Sequence, residues 1–320
     1  MSTRPPADLN KLVIATRRSA LALWQTEHVK SRLQTLYPAL EIELLGLTTQ
    51  GDRVVDRPLA DIGGKGLFIK ELEQAMQDGA AQLAVHSLKD VPMEMPPGFM
   101  MAAVMEREDP RDALVSNRVR ALSELPLGSV IGTSSLRREA QLRERYPQLK
   151  AEALRGNVNT RLAKLDDGAY AAIILAAAGL KRLGFEQRIA ALMDPEDSLP
   201  AIGQGALAIE CRADEPQVAA MLAPLAHRIT TLSVAAERAF GLRLAGSCRT
   251  PLAAYAVQGE GEGEDELWLR GLIASRDGRT VLRGERRARV ESEQDAAAMG
   301  DALGAEFLTR GAAAILAAET

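Results

Sequence analysis

Short β-rich runs alternate with amphipathic helical stretches from Lys11 to about Cys211, and this alternation constrains the fold most. Apolar residues at helical spacing follow the first run and end at Tyr37-Pro38. The strand candidates of this region are Lys11–Thr16, Glu41–Thr48, Gln82–His86, Val130–Thr133, Ala151–Leu154 and Ala171–Leu175. Strands that alternate with helices predict an α/β fold with mostly parallel strand pairing.

The last third of the chain has a different order of elements. Three strand candidates, Pro251–Val257, Leu267–Ile273 and Thr280–Arg287, follow one another across Gly-rich turns, and a helix is predicted from about Asp295 to Leu316. Strands in succession followed by a helix predict a small α+β domain. The acidic segment Glu260–Glu266 is interpreted as a solvated turn between two of these strands.

Composition argues against several classes of protein. The 320 residues suggest two or three domains, and a net charge of −4 with 3% aromatic residues argues against a protein that coats nucleic acid or stacks on its bases. No apolar run approaches the roughly 20 residues that span a bilayer, and the N-terminus lacks the apolar core of a signal peptide. Two distant cysteines do not make a disulfide scaffold, so we expect a cytoplasmic protein without a membrane or nucleic-acid partner.

One long segment, Thr49–Gly66, has four glycines, several charges and no clean periodicity. A loop of this length is often a lid over a site, and it can equally be a plain surface excursion. The residues alone leave both interpretations open.

The same local arrangement occurs three times, where a strand candidate ends and a helix begins with a hydroxyl or amide residue near arginine. The three segments are Thr16–Ser19, Gly132–Arg138 and Leu154–Asn157, the last with Arg161 one helical turn later. Helix N-termini bind anions, and arginine adds a planar fork that binds carboxylates. Each segment alone could be a capped helix with surface arginines, the N-caps being Ser19, Ser134 and Asn157. Three such segments at strand ends predict a cleft for several carboxylates or phosphates.

The segment His86–Pro92 also lies at the end of a strand candidate and places Asp90 next to Lys89. A carboxylate beside an ammonium group can stay ionised and serve an electrostatic or acid–base role. The alternative is a surface salt bridge. His86 itself is interpreted as a hydrogen-bonded structural histidine.

The two cysteines differ in their surroundings. Cys211 ends an apolar run that is typical of a buried strand, which predicts a packing role. Cys248 lies in a small-residue loop next to Arg249, a setting that can lower a thiol pKa and expose the sulfur. The residue types leave open whether Cys248 is reactive. Neither cysteine has the spacing of a metal site, and no metal is expected.

Taken together, these segments resemble the hydroxymethylbilane synthase family, also called the porphobilinogen deaminases. The resemblance covers nearly the whole chain. Its motifs, in order, are Ile14–Gln25, Gly63–Phe68, Ala84–Pro92, Glu106–Asp112, Gly132–Arg138, Leu154–Asn157, Gly179–Gly184, Leu199–Gly205 and the Cys248 loop. Each motif is weak by itself, whereas all of them in this order are highly specific.

The resemblance implies a fold of three domains. Two are lobes like those of periplasmic-binding proteins, and the third is small, α+β and carries Cys248. Domain 1 would comprise residues 1–106 plus 204–224, domain 2 residues 107–203 and domain 3 residues 225–320. A monomer is expected, and the resemblance favours the lid interpretation of Thr49–Gly66.

The family joins four porphobilinogen units head to tail, with loss of ammonia at each unit, and releases a linear tetrapyrrole. It uses a dipyrromethane cofactor that is made from the same substrate and held by a thioether to a loop cysteine, here Cys248. Asp90 matches the family's catalytic carboxylate. Such a group can stabilise the cationic azafulvene that loss of the amine leaves.

The resemblance also assigns binding roles to polar residues of this chain. Cofactor binding is implied for Lys89, Asp90, Thr133, Ser134, Ser135, Arg137, Arg138, Arg161, Arg182, Gln204 and Cys248. Substrate binding is implied for Arg17, Ser19, Arg155 and Arg161. Two positions depart from the family pattern, since Ser247 stands where glycine is common and Arg18 where glutamine is common.

The alternative function is a non-catalytic two-lobed binding protein for a small polycarboxylate. It accounts for the carboxylate sites and the lid. It does not account for Asp90 beside Lys89 or for a loop cysteine in a third domain.

Overall fold

The computed structural model describes residues 10–53, 66–244, 250–259 and 266–318. Within these residues the chain forms two compact units. The first unit holds residues 10–53, 66–107 and 206–231, and the second holds residues 108–205, 232–244, 250–259 and 266–318. Cys248, residues 54–65 of the predicted lid and residues 260–265 of the predicted acidic turn lie outside the described residues.

The described residues form strands and helices in the following chain order. The strands are β1 (Lys11–Arg17), β2 (Glu41–Leu47), β3 (Leu83–Ser87), β4 (Phe99–Val104), β5 (Asp112–Val115), β6 (Val130–Gly132), β7 (Lys150–Glu152), β8 (Ala172–Ala176), β9 (Ile189–Met193), β10 (Leu207–Arg212), β11 (Leu252–Gln258), β12 (Glu266–Ala274) and β13 (Val281–Arg289). The helices are α1 (Ala20–Leu36), α2 (Gln50–Arg53), α3 (Lys70–Gln77), α4 (Leu136–Arg145), α5 (Val158–Asp166), α6 (Ala177–Arg182), α7 (Pro216–Leu222), α8 (Arg228–Arg243), α9 (Glu293–Thr309) and α10 (Ala312–Ala318).

The first unit is built on a five-stranded sheet in the order β2-β1-β3-β10-β4. Side chains alternate along each strand, so the sheet buries two faces. Ile14 of β1 packs with Leu33 of α1 on one face, and Ala15 packs with Leu72 of α3 on the other. Burial on both faces explains why these strands read as continuous apolar runs in the sequence.

The second unit contains a sheet of the same topology, in the order β7-β6-β8-β5-β9. In each of the two sheets, two strand pairs are parallel and two are antiparallel, because β10 and β5 enter their sheets in the reverse direction. The α/β class is confirmed, but the prediction of mostly parallel pairing is wrong. Apolar periodicity indicates that a strand is buried, and it carries no information about the direction of that strand.

The second unit also contains the antiparallel sheet β11-β12-β13. Phe240 of α8 and Phe307 of α9 meet edge to face, with ring centroids 5.0 Å apart. The two helices approach closely at Gly300, where a Cβ would lie 2.1 Å from the carbonyl oxygen of Ala236. Three strands followed by packed helices confirm the predicted α+β part of the fold.

The single helix predicted from about Asp295 to Leu316 is wrong, because α9 ends at Thr309 and α10 begins at Ala312. Gly311 stands between them with φ +97°, a left-handed conformation that ends a helix and that glycine adopts without steric cost.

Every predicted strand is present, with its ends within two residues of the prediction. Three strands, β4, β5 and β9, were not predicted, although Pro-Gly and Asp-Pro turn residues precede β4 and β5. In the part of the chain that the structure describes, no single helix has the length and apolar composition of a membrane span. The bent pair Pro216–Leu225 and Arg228–Arg243, with 111° between its helices, meets those two criteria only together.

Candidate active site

Arg17 ends β1, and its guanidinium group is bound by Asp52 of the one-turn helix α2. Nε of Arg17 donates to Oδ2 of Asp52 at 3.1 Å and Nη2 donates to Oδ1, so the pairing is bidentate. The guanidinium carbon also lies 4.1 Å from the ring centroid of Phe68. Burial opposes ionisation of Asp52, but the hydrogen bonds and charge of Arg17 outweigh it and hold the pKa of Asp52 below its usual value. A ligand carboxylate that approaches Arg17 therefore meets a competing carboxylate.

The start of the predicted Thr49–Gly66 loop is ordered around Asp52. Oγ1 of Thr49 donates to Oδ2 of Asp52 at 2.8 Å, and the backbone N–H of Thr49 donates to the same oxygen at 3.3 Å. This is a helix-capping arrangement, and α2 follows it. Gly51 is required by a close approach, since a Cβ there would lie 2.2 Å from the ring of Phe68. The residues around Arg17 thus hold its guanidinium in one place.

A pocket in the first unit brings together three of the predicted residues, Arg17, Ser19 and Asp90. Its lining residues are Arg17, Ser19, Leu21, Ala22, Gln25, Phe68, Ile69, Val85, His86, Ser87 and Asp90. Asp90 ends the 3₁₀ turn Leu88–Asp90, which directly follows β3. Lys89 belongs to the same turn and is half-buried, and it is not among the residues that line this pocket.

Local hydrogen bonds fix the walls of this pocket. Ser19 is the N-cap of α1 as predicted, since its Oγ accepts from the backbone N–H of Ala22 at 3.3 Å. Gln25 of α1 donates from Nε2 to Oγ of Ser87 at 2.8 Å, which ties α1 to the end of β3. The strand ends that carry Arg17 and Asp90 are therefore held by the same helix.

His86 is a hydrogen-bonded structural histidine, as predicted. Its Nε2 lies 2.8 Å from Oε2 of Glu210, and the two side chains are 4% and 2% exposed. Glu73 of α3 lies beside Glu210. The pKa of Glu73 is raised to about 7, mainly because the carboxyl group loses contact with water and next because the charge of Glu210 repels its ionised form. These three residues form a polar group on one face of the sheet, in which His86 and Glu210 are buried and Glu73 is half-buried.

The second unit contains a fully buried carboxylate, Asp112, at the start of β5. It accepts hydrogen bonds from Nη1 and Nη2 of Arg137 at 2.8 and 3.1 Å, and from Nε and Nη2 of Arg138 at 2.9 and 2.7 Å. It also accepts from Oγ of Ser198 at 2.7 Å and from Nε2 of Gln204 at 2.9 Å. Burial opposes its ionisation, but the two guanidinium groups outweigh it and hold the pKa of Asp112 far below its usual value.

Asp112, Arg137, Arg138, Ser198 and Gln204 are called the Asp112 cluster below. The contacts within this cluster limit what Arg137 and Arg138 can bind. They are only 3% and 6% exposed, so their main partner is Asp112 and not solvent. One carboxylate balances one of the two guanidinium charges, so a positive charge remains. Nε of Arg137 is buried without an acceptor among the described residues. A buried positive charge with an unused N–H donor favours an anionic partner.

The helix N-termini of the second unit agree with the prediction at one position and differ at the other. Asn157 caps α5, accepting at Oδ1 from the backbone N–H of Thr160 at 2.9 Å. Ser134 does not cap α4, and that prediction is wrong. The N-cap is Ser135, because the helix begins one residue later, and Oγ of Ser134 donates to the carbonyl of Leu154 at 2.6 Å.

Four further predicted residues belong to the second unit: Thr133 and Arg155 follow β6 and β7, whereas Arg161 lies in α5 and Arg182 ends α6. Thr133 is buried, and its Oγ1 accepts from the backbone N–H of Ser135 at 3.3 Å. Nε of Arg161 donates to the carbonyl of its own helix start, at Gly156, at 2.8 Å. Burial lowers the pKa of Arg182 to about 10 and also lowers the pKa of Arg155. Arg182 therefore still carries its charge at neutral pH.

The pattern of the sequence missed Asp52, Glu210 and Asp112. Thr49 followed by Asp52 three residues later is a capping-box spacing that could have revealed the first. The neighbouring sequence does not reveal Glu210 or Asp112. An acidic residue in a strand has the same local sequence pattern whether it faces solvent or pairs with a side chain far away in the chain.

Cys211 is fully buried, and burial raises the pKa of its thiol to about 11. The predicted packing role is confirmed.

No group of three or more His, Cys, Asp or Glu side chains among the described residues could hold a metal ion.

Two family models match the chain. Residues 12–220 match the model described as porphobilinogen deaminase, dipyromethane cofactor binding domain. Residues 231–309 match the model described as porphobilinogen deaminase, C-terminal domain. Among solved structures, the methionine-binding protein MetQ is similar with a TM-score of 0.44 and 13% identity, covering 67% of this chain and 88% of that one, which is too low to support a conclusion.

Curated relatives match over nearly their full length. A porphobilinogen deaminase of Chromobacterium violaceum is 58% identical over 311 residues, which cover 97% of this chain and 98% of that one. Porphobilinogen deaminases of Paraburkholderia phytofirmans and Burkholderia thailandensis are also 58% identical, covering 96% and 97% of this chain and 89% and 94% of theirs. Since two family models together match most of the chain and full-length relatives are 58% identical, the chain belongs to the porphobilinogen deaminase family.

Proposed function

We propose that the chain is the transferase that joins four porphobilinogen molecules head to tail, with release of ammonia, into the linear tetrapyrrole hydroxymethylbilane. The observation that carries this function is family membership over 97% of the chain, with both family domains present. The acetate and propionate groups of each added unit require cationic partners, which the arginines of both units supply. The non-catalytic binding protein is not favoured, because the match extends through the C-terminal family domain.

The polar groups of the second unit fit a dipyrromethane cofactor, whose side chains are carboxylates. The Asp112 cluster has one positive charge in excess, and Nε of Arg137 has no acceptor among the described residues. A carboxylate would supply the missing charge and acceptor. We assign cofactor binding to Arg137 and Arg138, with further roles for Lys89, Thr133, Ser134, Ser135, Arg161, Arg182 and Gln204. When bound, the dipyrromethane supplies the pyrrole carbon to which the first substrate unit is joined.

Gln204 is hydrogen-bonded to protein groups and is not an exposed polar residue that is free to contact the cofactor. Its Nε2 donates to the carbonyl of Pro110 at 2.6 Å as well as to Asp112, and its Oε1 accepts from Arg138 at 3.4 Å. With 1% of its surface exposed, Gln204 supports the arginines that hold the cofactor. Its cofactor-binding role is therefore proposed to act through Arg138.

Cys248 is the proposed attachment point of the cofactor, through a thioether. The chain has two cysteines, and Cys211 is excluded as a nucleophile because it is buried with a thiol pKa raised to about 11. A covalent tether is needed because ionic contacts to arginine exchange with water and salt. A carbon–sulfur bond keeps one end of the product fixed through four additions.

Asp90 is assigned the catalytic role. It lines the pocket beside Arg17 and Ser19, and a fixed carboxylate there stabilises the positive charge that develops as the amine leaves. Arg17 and Ser19 are assigned to a carboxylate of the incoming substrate, which must compete with Asp52 for the guanidinium of Arg17. Substrate binding by Arg155 and Arg161 rests on the family resemblance.

The test combines intact mass with turnover. The purified chain is incubated with porphobilinogen, and substrate loss, ammonia release and protein mass are followed. We expect added dipyrromethane mass and activity in the wild type and in Cys211→Ala, and neither in Cys248→Ala. A Cys248→Ala protein that still carries a dipyrrole would place the tether elsewhere, and a wild type that consumes no porphobilinogen would refute the function.

The division into domains is proposed as residues 1–106 plus 204–224, residues 107–203 and residues 225–320. Its support is that the second compact unit contains two separate sheets, one five-stranded and one three-stranded. The cytoplasmic location and the monomeric state stay predictions from the sequence.

A further inference from the structure

Three titratable side chains lie behind the pocket that contains Asp90, and of these His86 and Glu210 are buried whereas Glu73 is half-buried. Glu210 of β10 stands opposite Ala84 of β3, so Glu210 and His86 point to the same face of the sheet. That face is covered by α3, which carries Glu73. Nε2 of His86 is 2.8 Å from Oε2 of Glu210. The three groups thus form a chain that runs from α3 along this face of the sheet to the pocket wall, which His86 lines.

The two carboxyl groups of this chain are placed to share a proton. Glu73 and Glu210 are close enough to influence each other's charge, and Oε1 of each is buried with no hydrogen-bond partner among the described residues. Two carboxylate oxygens can bond to each other only when one of them carries a proton. Burial and the neighbouring Glu210 raise the pKa of Glu73 to about 7, so Glu73 is the group that holds the proton below that pH.

The surroundings of Glu73 contain few other charges. His86 and Lys70 both favour its ionised form, and Glu210 opposes it more strongly. The facing part of β1 is apolar, with Ala15 in the same core cluster as α3. Cys211, next to Glu210, stays a neutral thiol because burial raises its pKa to about 11. Glu73 is therefore the carboxyl group of this region whose pKa is raised to about 7.

We propose that Glu73, Glu210 and His86 are positioning residues of the active site. The shared proton holds Glu210 in place, Glu210 holds the imidazole of His86, and the imidazole fixes the pocket wall beside Ser87 and Asp90. Loss of the proton puts two buried negative charges side by side, and their repulsion releases this chain. The consequence for turnover rests on the proposed transferase function, whereas the geometry of the chain does not.

The variant Glu73→Gln tests the role of the proton, because an amide N–H₂ donates to Glu210 at every pH. We expect kcat of the wild type, relative to Glu73→Gln, to fall roughly 25-fold from about pH 6.5 to about pH 8.5, because the protonated fraction of a group with pKa about 7 falls by that factor. Asp78→Asn is the matched control, since Asp78 is an exposed carboxylate at the end of the same helix. It should keep the wild-type pH profile.

A spectroscopic measurement separates this inference from the proposed function. The chain has three histidines, so the ¹⁵N resonances of His86 can be assigned with His86→Asn. We expect the pH dependence of these resonances to be the same in the wild type and in Asp78→Asn, and to differ in Glu73→Gln. Identical titration in the wild type and Glu73→Gln would overturn the inference. Absence of any tetrapyrrole product would refute the function alone, since the resonances report on the chain of three residues without turnover.

Discussion

Replacing Asp112 by asparagine is expected to destabilise the second unit strongly. The change keeps the size of the side chain and removes its negative charge. In the wild type, the carboxylate is fully buried and accepts six hydrogen bonds from Arg137, Arg138, Ser198 and Gln204. The amide oxygen of asparagine can accept only part of these, and its N–H₂ group would face other donors. Two guanidinium charges would then be buried without a countercharge.

The magnitude follows from the cost of an unpaired buried charge. Removing one partner of a buried ion pair typically costs about 3–5 kcal/mol, much of it from desolvation of the group left behind. Each buried donor left without an acceptor costs about 1–3 kcal/mol by itself. We therefore expect about 3–5 kcal/mol for Asp112→Asn. The control Asp166→Asn removes an ion pair to Arg188 in the same unit, but its carboxylate is 48% exposed, and the expected cost is below about 1 kcal/mol.

The assay needs a probe of the second unit. The chain has two tryptophans, and Trp24 lies in α1 of the first unit whereas Trp268 lies in β12 of the second. In a Trp24→Phe background, urea unfolding followed by fluorescence reports on the surroundings of Trp268. A large drop in the urea midpoint is expected for Asp112→Asn and almost none for Asp166→Asn. Equal midpoints in these two variants would refute the reasoning.

Three other predictions follow from the structure. Asp90→Asn should keep the cofactor mass and lose most of kcat, and near-normal turnover would contradict its assigned role. Asp52→Asn should free the guanidinium of Arg17 and lower KM for porphobilinogen, whereas an unchanged KM would mean that substrate and Asp52 do not compete. Burial opposes ionisation of Asp109, but hydrogen bonds from Arg111 outweigh it and lower its pKa to about 2. The lowered pKa contributes about 2 kcal/mol to the free energy of unfolding at pH values above about 4, the pKa of the unfolded chain. This contribution is lost as the pH falls from about 4 towards 2. Asp109→Asn should therefore lower Tm at pH 7 and not at about pH 2.

The local features of the fold could be predicted from the sequence because local chemistry determines them. Strand and helix positions follow apolar periodicity, and Ser19 and Asn157 cap their helices because side-chain oxygens satisfy free N–H groups within three residues. The sequence predicts roles for Arg17 and Asp90 because both lie near the end of a strand candidate. These arguments use only neighbours in the chain.

The partners of the buried charges could not be predicted in this way. Asp112 meets Arg137 across 25 residues and Ser198 across 86, and His86 meets Glu210 across 124. No spacing rule connects residues so far apart, and burial of a carboxylate is invisible in its own segment. The direction of β5 and β10 is hidden for the same reason, since it depends on where the chain re-enters the sheet.

Strand direction explains why the two buried carboxylates have different roles. A strand that runs antiparallel to its neighbour begins at the edge where that neighbour ends, which is the edge that carries ligand-binding groups in α/β sheets. Asp112 is the first residue of β5 and pairs with Ala176, the last of β8, so it lies at that edge and contacts the arginines directly. Glu210 lies three residues beyond Leu207, which pairs with Ser87, so it lies deeper and reaches the pocket only through His86. Asp112→Asn should therefore abolish the cofactor mass, whereas Glu210→Gln should keep it and reduce kcat. Equal loss of cofactor in both variants would show that depth in the sheet does not separate the roles.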